Sequence, residues 1–190
     1  MSQHDTQQTG SRGAETKALF FGRFQPFHLG HLKVLEWILT RFDKVLILIG
    51  MADESFTPRN PFTAIERATM IKLAVRLINI DEKRVEIATM PTLPVGVASA
   101  YTVYYMTTGF DTVVTGNHVI AEAFSAAGFK VLRPPLYERK RLQGEHIRRL
   151  MADGDPSWRN LVPEPVAEYI DAINGVERVK TIYKGLGTTR

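Results

Sequence analysis

From Lys17 onward, short apolar runs and helical patterns alternate so regularly that few folds remain open to the chain. The clearest run is "KVLILIG" (44–50), continuously apolar and ended by glycine, as a strand buried on both faces of a parallel sheet must be. "KALFF" (17–21), "RVEIAT" (84–89), "DTVVT" (111–115) and "KVLRP" (130–134) read the same way. Between them lie the helical patterns 30–42, 63–78, 97–108 and 118–128, the last closed by Gly128. The second opens with Thr63 and Glu66 at capping-box spacing, so that hydroxyl and carboxylate each satisfy an orphan amide. Five strands joined by four helical crossovers predict right-handed βαβ units. The expected fold is α/β: a Rossmann-like, doubly wound, five-stranded parallel sheet of order 3-2-1-4-5. After Pro135 the pattern turns helical near 143–152, 163–173 and 176–183, a small C-terminal extension. The expected organisation is a polar disordered tail (1–16) and one domain (17–190), divided into an α/β core (17–135) and a helical part (136–190).

Sheets of this kind bind ligands beyond the carboxyl ends of their strands, where the strand order reverses. Two segments compete for that place, "GRFQPFHLGH" after the first strand and "TGN" (115–117) after the fourth. In the order 3-2-1-4-5 their ends are neighbours and should form one crevice. A phosphate site needs cations, unpaired amides and room for backbone approach. Gly22 supplies room, the helix start supplies amides, and Arg23 supplies a permanent planar fork. His28 and His31, three residues apart, project to similar sides of the helix start. Two other readings of the pair stay open: a metal pair, which here lacks a third ligand at obvious spacing, and histidines that cap the helix or pack in the core.

Composition narrows the chemistry. The absence of cysteine excludes disulfides, thiolate metal sites and a cysteine nucleophile. A net charge of +4 suits an anionic ligand without the concentrated basic stripe of a nucleic-acid binder. No apolar stretch approaches the roughly 20 residues of a membrane span, and the opening residues lack a signal peptide's apolar core. A Gly-x₄-Gly-Lys-Ser/Thr loop, a Gly-x-Gly-x-x-Gly fingerprint and a Gly-x-Ser-x-Gly elbow are all missing. P-loop, dehydrogenase and α/β-hydrolase chemistry are therefore not expected.

"GRFQPFHLGH" resembles the signature of the nucleotidylyltransferase superfamily. With "RNPFTAIER", "TGN", "RPPLYERKR", "IRRLM" and "LVPEPVAEYIDAINGVERVK", the chain from about Lys17 to Lys180 resembles the archaeal-type nicotinamide mononucleotide adenylyltransferases. The resemblance implies adenylyl transfer from ATP to nicotinamide mononucleotide, with Mg²⁺ accompanying the ATP. It gives Arg23, His28, His31 and Arg148 catalytic roles on the ATP phosphates. It gives Gly22, Phe24, Gln25, Arg59, Gly116 and Asn117 roles in binding ATP or substrate. No protein-held metal site is implied. Expected partners are small-molecule substrates (ATP and a pyridine mononucleotide) rather than nucleic acid or membrane, the protein is expected to be a homo-oligomer, and the expected location is cytoplasmic. Several positions depart from the family pattern. Gln143 and Glu145 replace a Ser and a Thr, Gly96 and Ser99 stand where Asn and Trp usually grip the nicotinamide ring, and Asp53 and Phe56 replace a Gln and a His. Transfer to another acceptor (nicotinate mononucleotide, flavin mononucleotide or another phosphate monoester) and a non-catalytic nucleotide-binding role are the alternatives.

Overall fold

The computed structural model describes residues 15–187, with side chains to 185. Five parallel strands, β1 (Lys17–Gly22), β2 (Lys44–Ile49), β3 (Val85–Thr89), β4 (Thr112–Val114) and β5 (Lys130–Leu132), form one sheet in the order β3-β2-β1-β4-β5. This is the expected order. Phe20 lies beside Val114 and Gly22 beside Ile49, so the exits of β1, β2 and β4 open toward one end of the sheet.

The two-residue period of the strands divides the core in two. Ala18, Phe20, Val45, Ile47 and Ile49 face α1 (Leu29–Leu39) and α2 (Ala64–Leu77). Leu19, Leu46, Leu48 and Val113 face α3 (Val97–Met106) and α4 (His118–Ala126). The C-terminal helices α5 (Gly144–Asp153), α6 (Glu164–Ala172) and α7 (Gly175–Gly187) join the first core through Ile147, Met151, Ile170 and Val179. The Thr63–Glu66 capping box forms as its spacing predicts, with Glu66 N–H on Thr63 Oγ1 (3.2 Å) and Thr63 N–H on Glu66 Oε2 (2.8 Å).

Some boundaries differ from the sequence reading. α1 starts at Leu29, capped by His28, and stops at Leu39 because the Thr40 hydroxyl turns back onto the Trp37 carbonyl. β5 ends before Arg133, whose conformation Pro134 restricts to extended forms. A 3₁₀ turn over Pro156–Leu161, absent from the sequence reading, inserts Trp158 into the core. Residues 1–14 of the expected tail lie outside the described residues. Its last two do not belong to a loose tail: Thr16 donates from amide and hydroxyl to Asp43 (2.8 Å each), and Glu15 pairs with Lys44 (2.8 Å). Among the described residues, no helix is long and apolar enough to cross a membrane.

Candidate active site

The exits of β1 and β4 flank a cavity of about 360 Å³. Gly22, Arg23, Arg59, Thr115 and Asn117 contribute to its lining, so the two candidate segments do meet in one crevice. Its other wall is apolar and includes Val95, Val103, Ile120 and Phe124. Gly96 and Ser99 also line it; a side chain at Gly96 would enter open space, whereas the Ser99 hydroxyl is occupied by the Pro94 carbonyl. Asn117 has two roles: it lines the cavity, and its Oδ1 caps α4 by accepting the amides of Val119 (3.0 Å) and Ile120 (3.3 Å). Gly116 precedes it, exposed and with open space where a Cβ would stand.

Three arginines from distant parts of the chain come close enough for their charges to act on one another; Arg23 and Arg59 line the cavity, whereas Arg148 is buried and does not. Arg23 follows β1, Arg59 rides the loop before α2, and Arg148 reaches over from α5. Burial lowers the Arg23 pKa most, and the charges of Arg59 and Arg148 lower it further; Glu54 and Glu145 act in the opposite sense. Like charges held this close repel one another until an anion sits among them. Arg23 also reaches the Arg59 carbonyl at 3.5 Å. Arg148 is buried: Nη1 donates to the Gln25 carbonyl (2.6 Å) and Nε to the Pro58 carbonyl (3.0 Å). It thereby ties the loop after β1 to the loop bearing Arg59. Glu145, a negative charge unexpected beside a polyanion, turns to Arg149 (2.7 Å).

His28 and His31 do not line the cavity. Their rings stack at 3.5 Å and 19°, with the rings of Phe24 and Phe27 4.9 and 5.4 Å from His31. Each imidazole caps the other's backbone, since His28 Nδ1 accepts the His31 amide and His31 Nδ1 accepts the His28 amide, both at 3.3 Å. The capping reading of the pair is therefore correct as local structure, and it has a chemical consequence. With both Nδ1 atoms accepting, a neutral ring must carry its hydrogen on Nε2. Burial keeps both rings neutral, pushing the His28 pKa down to about 3 and that of His31 well below its ordinary value. The capping box thus fixes two Nε2–H donors at the start of α1.

Two residues expected to bind substrate turn their side chains elsewhere. Phe24 is buried against Phe20 and Phe27, its ring occupying the space that a Cβ on Gly22 would need. Gln25 is buried and pairs with the Phe62 backbone through Nε2 (2.8 Å) and Oε1 (3.0 Å). Both shape the loop from within. The sequence reading missed a latch on the far wall. Asp53 accepts the Thr92 amide (2.7 Å) and hydroxyl (2.9 Å), and these bonds lower its pKa. Glu54 accepts the same hydroxyl (3.2 Å) and the buried Asn60 amide (2.7 Å). Paired acids in a loop between a strand and a helix were its one legible signal. Arg67, fully buried, was also missed, although it falls on the stripe of α2 that carries Ile71 and Ala74 into the core.

The neutral histidines make folding sensitive to acid. The unfolded rings protonate below pH about 6.5 while the native rings refuse the proton, so stability falls as pH drops through that value. For His28 the loss continues down to its native pKa of about 3. Between pH 7 and pH 5 it amounts to about 2 kcal/mol, and His31 adds in the same direction. Urea unfolding at pH 5, 6 and 7 checks this; a free energy unchanged over that range contradicts the buried neutral pair.

Comparison with known proteins agrees with this geometry. Residues 19–150 match the cytidylyltransferase-like family. The chain is 41% identical over 170 residues to a protein of Thermococcus kodakarensis named nicotinamide-nucleotide adenylyltransferase, covering 90% of each. A protein of the same name from Saccharolobus solfataricus is 41% identical over 167 residues, covering 88% of this chain and 96% of that one. Among solved structures, a bifunctional NMN adenylyltransferase/ADP ribose pyrophosphatase from Francisella tularensis shares the fold, with a TM-score of 0.64 at 19% identity. That match covers 83% of this chain and 50% of the other, so the chain spans half of that protein. With the family match over residues 19–150, the high-identity relatives and the strand order in agreement, the chain belongs to the cytidylyltransferase-like family.

Proposed function

We propose that this protein is a nucleotidyltransferase that joins ATP and nicotinamide mononucleotide to give NAD and pyrophosphate. The convergence of Arg23, Arg59 and Arg148 beside the β1/β4 crevice carries the reading, because such a cluster of like charges suits a polyphosphate. The mononucleotide 5′-phosphate, already an anion at neutral pH, attacks the α-phosphorus of ATP. A phosphorus–oxygen bond forms there, the α–β bridging bond breaks in line, and pyrophosphate leaves with the electron pair. No serine, cysteine or strong base is needed; alignment and charge stabilisation do the catalysis. In this reading Arg23 and Arg59 hold the polyphosphate and the Nε2–H donors of His28 and His31 stabilise charge as it develops. Arg148, with Nη1 and Nε engaged, has Nη2 left to contribute.

Mg²⁺ belongs to the reading as the counter-ion of ATP. An ion of this kind arrives on the substrate phosphates and keeps several waters; among the described residues there is no group of three or more His, Cys, Asp or Glu that could hold a metal. The apolar wall at Val95, Val103, Ile120 and Phe124 suits a flat pyridine ring. Self-association and a cytoplasmic setting are part of the proposal. Residues 87–110 contain no charge, and their helix α3 exposes Val97, Tyr101, Tyr105 and Met106, so a second copy could approach without like-charge repulsion.

The test is product formation from ATP, Mg²⁺ and nicotinamide mononucleotide, with nicotinate and flavin mononucleotides in parallel. NAD and pyrophosphate in equal amounts support the reading. No pyrophosphate release with any acceptor overturns it, and faster reaction with nicotinate mononucleotide reassigns the acceptor, a second reading favoured by Gly96 and Ser99 on the cavity wall.

A further inference from the structure

Arg67 is a buried cation that makes no contact with a carboxylate among the described residues; the charge of Glu54 acts on it only from a distance. It lies in α2 and is 0% exposed. Its donors go to backbone carbonyls instead. Nε reaches Thr63 O (3.2 Å), Nη1 reaches Arg23 O (3.0 Å) and Gly50 O (2.8 Å), and Nη2 reaches Met51 O (3.0 Å). Burial lowers its pKa to about 10, so the group is charged at neutral pH. Keeping a guanidinium there costs desolvation that an apolar side chain of similar volume would avoid. Its position is specific: Arg23 follows β1, Gly50 and Met51 follow β2, and all three line the cavity.

A planar trans peptide points its carbonyl and its N–H in opposite directions. Drawing the Arg23 and Gly50 carbonyls onto Arg67 therefore turns the amides of Phe24 and Met51 the other way. The Met51 carbonyl, also bound by Arg67, shows the pattern completed, since the Ala52 amide behind it donates to Met90 O (2.9 Å). Among the described residues, the Phe24 and Met51 amides have no acceptor. Both residues also hold the left-handed conformation, at φ 55° and 53°, which non-glycine residues adopt at a cost. Backbone amides presented around such residues form concave anion seats.

We propose that Arg67 is a positioning residue for the anion: it clamps the exits of β1 and β2 so that the Phe24 and Met51 amides face a phosphate group, and it places a fixed positive charge behind Arg23. This rests on the polyphosphate reading of the cavity. It implies that a fourth arginine, which makes no ligand contact, sets phosphate affinity.

The probe is inorganic pyrophosphate. In the wild-type protein, amide NMR during pyrophosphate titration should shift the Phe24 and Met51 signals, while Ala52, already bonded to Met90, moves little. Binding measured by calorimetry without movement at Phe24 and Met51 overturns the proposal. Arg67→Lys keeps the charge but cannot fork across two strand exits. Measured well below its melting temperature, the folded variant should bind pyrophosphate about tenfold more weakly or worse, with a raised KM for ATP. A folded Arg67→Lys protein with wild-type pyrophosphate affinity and a lowered melting temperature alone makes the residue merely structural and ends the proposal. If the variant does not fold, the wild-type titration still decides. Pyrophosphate binding without dinucleotide synthesis removes the proposed function and leaves the role of Arg67 standing; no pyrophosphate binding by the wild type removes both.

Discussion

His31→Ala is expected to lower turnover by about 10²–10³, the range for loss of one donor aimed at developing charge and equivalent to about 2.7–4 kcal/mol. The structural cost should be much smaller. The variant loses one half of the reciprocal cap, worth about 1 kcal/mol, and contacts with the phenylalanine rings around it. In a chain of this size that lowers the melting temperature by a few degrees. The two readouts must therefore separate. Because each ring caps the other's backbone, the double variant His28→Ala/His31→Ala should lose less than the sum of the single losses. Steady-state kinetics beside a thermal melt is the check. Near-normal turnover in folded His31→Ala would mean that the pair is only a helix cap.

Arg148→Ala should damage both properties. It leaves the buried Gln25 carbonyl without its donor, at about 1–3 kcal/mol, and takes one of two donors from the half-buried Pro58 carbonyl, which keeps the Tyr183 hydroxyl (3.5 Å). It also releases the loop after β1 from the loop carrying Arg59, so two parts of the phosphate site lose their mutual position. A melting temperature lower by about 5–15 °C and turnover lower by about 10² are expected. Arg148→Lys separates charge from geometry. One ammonium cannot serve both carbonyls in the guanidinium's fork, so part of the stability should return while turnover stays low. Full activity in Arg148→Lys would show that only its charge matters.

The spacing of these residues made some of this legible. Thr63 and Glu66 form their capping box because both partners lie within a single helical turn. The meeting of Gly22 with Thr115 and Asn117 follows from strand order, which handed crossovers restrict to few choices. A cap was one of the open readings of the histidine pair, but its reciprocal form was not legible. Its mutual bonding depends on rotamers that Phe20, Phe24 and Phe27 enforce by packing.

Local order in the chain, then, was enough to establish the alternation of elements, the five-stranded sheet and the crevice at the reversal of its strand order. Which arginine lines the cavity and which braces the backbone lay beyond it. Arg59 lines the cavity, Arg148 grips a carbonyl 123 positions away, and Arg67 is wholly enclosed, yet all three look alike as basic residues near helix starts. Gln25, expected at the substrate, is instead spent on Phe62, 37 positions on. Periodicity reports which way a side chain leaves its own helix or strand. Its hydrogen-bond partner is set by what packing brings within about 3 Å, and for residues far apart in the chain that proximity exists only once the core has formed.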